Sequence, residues 1–301
     1  MPQPRLESVL CPHPEGQHRM AWWSWGQPDA AHVVVCVHGF TRQGRDFDRL
    51  AQALVERCGG QIHVVCPDVA GRGQSDWLPQ PALYQIPQYA ADMLALLAQL
   101  HSRCALARLD WVGTSMGGLS GMALAGQPGL PLPLPIRRLV LNDVGPSIAW
   151  PSVERMQQYV GRFGRFADLN EAAAELRRLS LGFGPVPPEL WLEMSAHMVR
   201  PGPDGGLTLH YDPAIGEPVR ALTPQAAEAA EAVVWGLYDQ IRAQVLLIRG
   251  QDSDLLTEAT AQAMTVRGPQ AQLVQWPGVG HAPTLTEPAH TAVVADFLLG
   301  A

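Results

Sequence analysis

Leu109-Asp-Trp-Val-Gly-Thr-Ser-Met-Gly-Gly118 is the stretch that decides the fold of this 301-residue chain. A short apolar run opens it, a run of small residues with helical character closes it, and Ser115 lies between them in a G-x-S-x-G pentapeptide. Gly113 and Gly117 leave room for a strand to turn sharply into a helix, because neither carries a Cβ atom. The stretch therefore predicts a tight strand-to-helix turn that pushes the Ser115 hydroxyl out into a cleft.

Short apolar runs alternate with helix-like segments on both sides of this turn. The runs typical of buried strands are 32–37, 62–66, 109–112, 138–141, 245–248 and 272–275. The segments with helical patterns are 46–57, 87–100, 116–126, 257–265 and 288–299. This alternation predicts an α/β fold built on a doubly wound, mostly parallel sheet. Residues 18–26 are expected to pair as antiparallel edge strands.

The alternation breaks between about residues 145 and 237. Helical patterns at 153–163, 169–181, 188–199 and 225–234 are separated there by turns rich in proline and glycine, with no convincing buried strand. We therefore expect a core of residues 1–144 and 238–301 with a helical cap inserted at 145–237. Because the insertion follows a strand, the cap should overhang the carboxyl ends of the strands, where open α/β sheets bind ligands.

The composition excludes several classes of protein. Apolar residues make up 47% and charged residues 16%, which is typical of a globular chain. The net charge is −7 and there is no basic run, which argues against a nucleic-acid partner and against an anionic membrane surface. All 21 basic residues are arginine, so a lysine Schiff base, a Walker lysine and a Ser-Lys dyad cannot be built.

The termini and the cysteines bear on the compartment. The N-terminal residues lack the apolar segment of a signal peptide, and no apolar stretch approaches the roughly 18 residues of a membrane span. The five cysteines show no C-x-x-C spacing and are expected to be free thiols. These features predict a soluble cytoplasmic protein, and they leave its oligomeric state open.

A serine hydroxyl becomes a nucleophile only when a base takes its proton and a third group orients that base. His281 is the candidate base, because it lies in Pro-Gly-Val-Gly-His-Ala-Pro between the last predicted strand and the final helix. The acid is expected after the strand at 245–248, where Asp252 and Asp254 are both available. Asp143, which closes the strand at 138–141, is a third candidate, with a structural role or a contact to the cap expected to be its main task.

An oxyanion at this serine would need two fixed amide donors. The amide of Met116, directly after the serine, is one, and the amide of Phe40 in Val37-His-Gly-Phe-Thr is the other. His38 precedes a glycine at the end of the first parallel strand, and we expect it to anchor this loop rather than to react. No metal-binding spacing is present in the sequence, and the expected chemistry needs no cofactor.

These motifs together resemble those of the α/β-hydrolase fold superfamily, in its capped branch of esterases, lactonases and carbon-carbon bond hydrolases. The resemblance rests on His38-Gly39-Phe40, on Asp68 with Gly71-x-Gly73-x-Ser75, on the pentapeptide around Ser115, on the acid loop and on Gly280-His281. It implies that Ser115 is the nucleophile, where some relatives carry aspartate. The commoner family pattern points to Asp252 as the acid, whereas the variant R-G-x-x-S-D-[IL]-L favours Asp254, which is the acid we expect.

The resemblance and the motifs lead to one expected activity. It is hydrolysis of carboxylic esters of small to medium apolar substrates through an acyl-enzyme intermediate, with a small-molecule ester as the partner. The same apparatus could cleave lactones, thioesters or the carbon-carbon bonds of vinylogous diketones, and the fold also serves as a noncatalytic ligand-binding module. Aliphatic oligoesters such as those of hydroxyalkanoates are reasonable substrates to screen.

Overall fold

The computed structural model describes residues 3–162, 164–203 and 205–300. The strands are, in chain order, β1 (Arg5–His13), β2 (Gly16–Gly26), β3 (His32–Val37), β4 (His63–Pro67), β5 (Arg108–Thr114), β6 (Arg138–Asn142), β7 (Arg165–Phe166), β8 (Val199–Pro201), β9 (Leu207–Leu209), β10 (Gln244–Gly250) and β11 (Gln272–Trp276). The helices are α1 (Asp48–Arg57), α2 (Ile86–Arg103), α3 (Met116–Gly126), α4 (Trp150–Tyr159), α5 (Leu169–Leu179), α6 (Pro188–Ala196), α7 (Gly216–Ala221), α8 (Pro224–Gln240), α9 (Glu258–Val266) and α10 (Pro288–Leu299). None of the helices in these ranges is both long and apolar enough to cross a membrane.

The main sheet formed by the described residues has eight strands in the order β1-β2-β4-β3-β5-β6-β10-β11. Strands β4, β3, β5, β6, β10 and β11 run parallel, while β1 and β2 are antiparallel at one edge. This arrangement confirms the predicted doubly wound, mostly parallel sheet. The expected edge strand at 18–26 lies in β2. Its partner β1 was not predicted, because only Val9 and Cys11 of that strand are fully buried and its apolar signal is weak.

Helices cover both faces of the sheet because successive strand residues point to opposite sides. Val33, Val35 and Val37 of β3 join one apolar cluster, together with residues of α2 and α3. Val34 and Cys36 join a second cluster, together with residues of α1 and α10. The buried strands therefore form the middle of a three-layer core, and their carboxyl ends meet at one edge.

The segment from 145 to 237 contains α4 to α7, most of α8 and a small sheet in the order β7-β9-β8. This sheet was not predicted, because its strands have only two or three residues and are largely half-buried or exposed. The predicted cap boundary at residue 237 falls inside α8, so the division into core and cap stays a prediction. Residues 1, 2, 163, 204 and 301, which fall within the predicted ranges, lie outside the described residues.

Helices α3 and α8 approach each other most closely at Gly126. A Cβ atom on Gly126 would overlap the backbone carbonyl of Leu237, whereas one on the neighbouring Gly236 would meet open space. We therefore expect Gly126→Ala to force the two helices apart and to lower the free energy of unfolding by about 1–3 kcal/mol. Gly236→Ala is the matched control, and it should be neutral or should stabilise the helix by up to about 1 kcal/mol. Urea unfolding of both variants measures the difference, and equal midpoints would contradict the close approach.

Candidate active site

Ser115 lies in the turn between β5 and α3 with φ 51° and ψ −116°, a conformation that non-glycine residues rarely adopt. The turn is possible because of the glycines beside it. A Cβ on Gly113 would overlap the backbone of Gly117, and a Cβ on Gly117 would overlap the carbonyl of Val37. The Ser115 amide donates to the carbonyl oxygen of Asn142 at 3.0 Å, which ties the turn to the end of the neighbouring strand β6.

His281 lies in the loop between β11 and α10, and its ring bridges the serine and a carboxylate. Its Nε2 is 3.0 Å from the Ser115 Oγ, and its Nδ1 is 2.7 Å from the Oδ2 of Asp143. The side chain of His281 is 17% exposed and that of Asp143 is 0% exposed. Because the carboxylate accepts from Nδ1–H, the ring presents an unprotonated Nε2 to the serine hydroxyl.

The structure places Asp143, and not the expected Asp254, beside the ring of His281. Asp143 directly follows β6, the strand next to β5, and its φ of 54° belongs to the sharp turn at that strand end. Its Oδ1 accepts from the Gly250 amide at 2.8 Å, and its Oδ2 accepts from the Ser253 hydroxyl at 2.6 Å as well as from His281. The carboxylate is thus buried among three donors that fix its orientation.

Asp254 and Asp252 point elsewhere. The side chain of Asp254 is half exposed and forms an ion pair with Arg155 of α4, with one hydrogen bond of 3.2 Å from Arg155 Nη2. Asp252 is exposed at the wall of the cavity, and its side chain forms no hydrogen bond with another residue that the structure describes. Among the described residues, the hydrogen-bond partners of the His281 ring are Asp143 and Ser115, and neither Asp252 nor Asp254 is bonded to it.

Ser253 is a site residue that sequence reasoning missed. Its hydroxyl donates to Asp143 and accepts from the amide of Leu256 at 3.1 Å, so it joins the loop after β10 to the acid after β6. The signal was available in the sequence, because a serine stands directly between Asp252 and Asp254. Ser253 is also the serine of the R-G-x-x-S-D-[IL]-L pattern, which favours Asp254 as the acid.

Met116 and Phe40 carry the two amides expected to hold an oxyanion, and Phe40 lines the same cavity as Ser115. Met116 is the first residue of α3, so its amide has no partner within the helix. The Phe40 amide shares a peptide plane with the Gly39 carbonyl, and His38 Nδ1–H donates to that carbonyl at 2.7 Å. The other ring nitrogen of His38 accepts from the Val69 amide at 2.9 Å, and burial holds the pKa of this histidine well below its usual value. His38 is therefore a neutral loop anchor.

A cavity of about 450 Å³ opens at the serine and the histidine. Its walls come from the loops at the carboxyl ends of the strands and from the segment 145–237. Apolar side chains dominate the part lined by that segment, namely Met156, Tyr159, Leu176, Leu179, Leu181, Phe183, Met194, Met198, Leu209 and Tyr211. The Gly280 amide donates to the Gly182 carbonyl at 2.7 Å, so the segment is bonded directly to the histidine loop.

A separate group of possible metal ligands lies at the β1–β2 edge of the sheet. Cys11, His18 and Asp92 are buried, and one ligand atom of each lies within 4.8 Å of the others. His18 Nε2 is 3.1 Å from the Asp92 carboxylate, and the Cys11 thiol donates to the Asp92 carbonyl at 3.7 Å. Hydrogen bonds within the group thus account for its compactness. This group could not be predicted from the sequence, because its three residues lie on three different elements.

Comparisons with known proteins identify the family of this chain. A family model described as the alpha/beta hydrolase family matches residues 34–296. A 3-hydroxybutyrate-oligomer hydrolase of Cupriavidus necator is 46% identical over 301 residues, which cover 99% of each chain. A crystal structure of an alpha/beta hydrolase from Novosphingobium aromaticivorans is 34% identical, covers 100% of both chains and superposes with a TM-score of 0.82.

A more distant neighbour is similar in fold alone. It is the thioesterase domain from the curacin biosynthetic pathway, with 23% identity, a TM-score of 0.72 and coverage of 98% of this chain and 99% of that one. The resemblance drawn from the sequence motifs is confirmed by the family match and by the two relatives that span the whole chain. This chain belongs to the alpha/beta hydrolase family.

Proposed function

We propose that this protein is a serine hydrolase that cleaves carboxylic esters through an acyl-enzyme intermediate. The observation that carries the proposal is the hydrogen-bonded series Ser115 Oγ, His281 and Asp143, at 3.0 Å and 2.7 Å, which opens into an apolar cavity. In this proposal Ser115 is the nucleophile, His281 the general base and Asp143 the acid that orients it. Phe40 and Met116 supply the oxyanion amides.

Acylation begins when the Ser115 Oγ attacks the ester carbonyl carbon while His281 Nε2 takes the hydroxyl proton. The imidazole is then positively charged, and the buried carboxylate of Asp143 stabilises that charge through Nδ1–H. The carbonyl oxygen becomes negative and accepts from the amides of Phe40 and Met116. The tetrahedral intermediate collapses as the His281 Nε2–H proton passes to the leaving alkoxide, which departs as an alcohol.

Deacylation repeats these steps with water as the nucleophile. His281 takes a proton from the water as its oxygen attacks the acyl carbon, and the same two amides hold the second oxyanion. The carboxylic acid leaves when His281 returns the proton to the Ser115 Oγ.

The walls of the cavity favour aliphatic oligoesters of short hydroxy acids as substrates. Met156, Leu176 and Phe183 offer apolar surface to alkyl branches, while Arg155 and Arg178 stand at partly exposed positions on the cavity wall. An oligoester has a neutral, branched interior that suits this apolar wall, whereas Arg155 and Arg178 are already paired with Asp254 and Glu175. The relative from Cupriavidus necator is named for the hydrolysis of 3-hydroxybutyrate oligomers, and its similarity extends over 99% of the chain.

A substrate panel tests this function. We expect the dimer and trimer of 3-hydroxybutyrate to be cleaved with a kcat/KM at least about tenfold above that for γ-butyrolactone, a butyryl thioester or a vinylogous diketone. Ser115→Ala should lower kcat by at least about 10⁴-fold, because the nucleophile is removed. Proton release at constant pH measures each reaction.

The matched control for the panel is Ser102→Ala, which removes an exposed hydroxyl at the end of α2. This variant should retain full activity. Cleavage by Ser115→Ala at the wild-type rate would refute the serine mechanism, and a clear preference for the thioester or the diketone would refute the ester assignment.

The identity of the acid is tested by three substitutions. We expect Asp143→Asn to lower kcat by about 10⁴-fold, because an amide can neither stabilise the imidazolium nor select its tautomer. Asp252→Asn and Asp254→Asn should stay within about tenfold of the wild type, since neither side chain touches His281. Rates per folded enzyme, with thermal unfolding as a check on Asp143→Asn, give the comparison. An inactive Asp254→Asn beside an active Asp143→Asn would restore the acid that the sequence favoured.

A further inference from the structure

Arg72 is the largest charged side chain that is completely buried in the described residues. It lies in Gly71-Arg-Gly73, in the loop that follows β4, and its exposure is 0%. The loop is held by Asp68, whose carboxylate accepts from the amides of Gly44 and Gln74 at 2.7 Å and 2.8 Å. The proposed mechanism assigns no task to this arginine.

The groups that the guanidinium of Arg72 contacts directly through its nitrogens are all neutral. Its Nε donates to the Phe40 carbonyl at 2.9 Å, and its Nη1 donates to the Ala70 carbonyl at 2.7 Å and to the Tyr89 hydroxyl at 2.8 Å. Its Nη2 lies 3.7 Å from the Sδ of Met116. Within the described ranges it forms no ion pair. An arginine keeps its proton under all physiological conditions, so a positive charge without a carboxylate partner is buried here.

Three aromatic rings partly compensate this charge. The guanidinium carbon is 5.0 Å from the ring centroids of both Phe40 and Tyr89 and 5.6 Å from that of Tyr84. Such cation–π contacts stabilise a desolvated cation. They still leave the cation without the neutralising partner that buried charges ordinarily have, which is a reason to look for a functional role.

The contacts of Arg72 converge on the two residues whose amides are proposed to hold the oxyanion. His38 fixes the peptide plane that contains the Phe40 amide, through the Gly39 carbonyl. Arg72 fixes the next plane through the Phe40 carbonyl, so the backbone of Phe40 is held on both sides of its Cα atom. Through its Nη2, Arg72 also contacts the Sδ of Met116 in the first turn of α3.

We propose that Arg72 is the positioning residue of the oxyanion hole, where its planar guanidinium holds Phe40 and Met116 in register and its charge favours the anionic transition state. This inference rests on the proposed function and adds to it a residue that does not touch substrate. A lysine could not replace it, because one ammonium group cannot reach acceptors spread around a planar fork.

The positive charge of Arg72 affects the pKa of His38, in the loop after β3. Burial is the main cause that holds the pKa of His38 below its usual value, and the positive charge of Arg72 acts in the same direction. His38 therefore stays neutral, so that its Nε2 accepts from the Val69 amide while its Nδ1–H donates to the Gly39 carbonyl. A fixed positive charge in a water-poor site costs no reorganisation when the carbonyl oxygen becomes negative, which is the condition for effective electrostatic stabilisation.

The test compares Arg72→Met and Arg72→Lys with wild type and with Arg137→Met. Arg137 is the control because it directly precedes β6 and pairs with the buried Asp110 of β5. This pair lies near the amino ends of the two strands, whereas Ser115 follows the carboxyl end of β5. Reaction of every sample to completion with a fluorophosphonate counts the intact sites, so that kcat is expressed per active serine. Inhibition by a trifluoromethyl ketone, which forms a tetrahedral oxyanion on the serine, is measured in parallel.

We expect Arg72→Met to lower kcat per site by about 10² to 10³-fold with KM changed less than about threefold, the pattern of an interaction made in the transition state. The inhibition constant of the ketone should rise by the factor by which kcat/KM falls. Arg72→Lys should retain an intermediate kcat, because it keeps the charge and loses the fork. Arg137→Met should reduce thermal stability and leave kcat per site unchanged.

A merely structural role would reduce the number of titratable sites and leave kcat per site and the ketone constant near wild type, and that result would overturn the proposal. The outcome is separable from the ester function, because a wild-type protein that cleaves no ester would refute the proposed function alone. If the wild-type protein cleaves no ester, the amide NMR resonances of Phe40 and Met116 test the positioning role of Arg72. Large shifts in Arg72→Met support positioning, and unchanged resonances overturn it.

Discussion

The close packing of backbone against backbone at the Ser115 turn is the constraint on which the rest of the structure depends. Gly117 lies against the carbonyl of Val37, and Gly113 lies against Gly117, with no space for a Cβ at either position. This contact sets the distance between β3, β5 and α3. It therefore also influences the separation between the serine hydroxyl and the Phe40 amide, because Phe40 lies three residues after the end of β3.

The sequence could predict those features that repeat a local pattern. Each of the parallel strands was located within about two residues, because a strand buried on both faces is a continuous apolar run. Ser115 and His281, which the structure places 3.0 Å apart, could be singled out because glycine and proline mark the turns that carry them. β1 was missed because it is the edge strand next to β2, and most of its side chains are exposed or half-buried.

The carboxylate that lies beside His281 could not be identified from the sequence, because local patterns do not show in which direction a side chain points. Asp143, Asp252 and Asp254 all follow strands that end at the same edge of the sheet. Only Asp143 takes the left-handed turn that aims its carboxylate inward, and the Gly250 amide and Ser253 hydroxyl then hold it. Asp254 reaches outward to Arg155, a partner 99 residues away in sequence, and no local signal foretells such an ion pair.

The hydrogen bond from Gly280 to Gly182 has a consequence for protein engineering. A Cβ on Gly182 would approach the His281 amide nitrogen to 3.0 Å and its carbonyl oxygen to 2.8 Å, so the two loops fit only when glycine stands at this point. Replacement of residues 145–237 by the same stretch of a homologue would therefore shift the His281 side chain. The shift is avoided when the homologue has a glycine with the same backbone conformation at the position of Gly182. Chimaeras made to change selectivity should therefore keep residues 181–183 of this chain as part of the recipient scaffold.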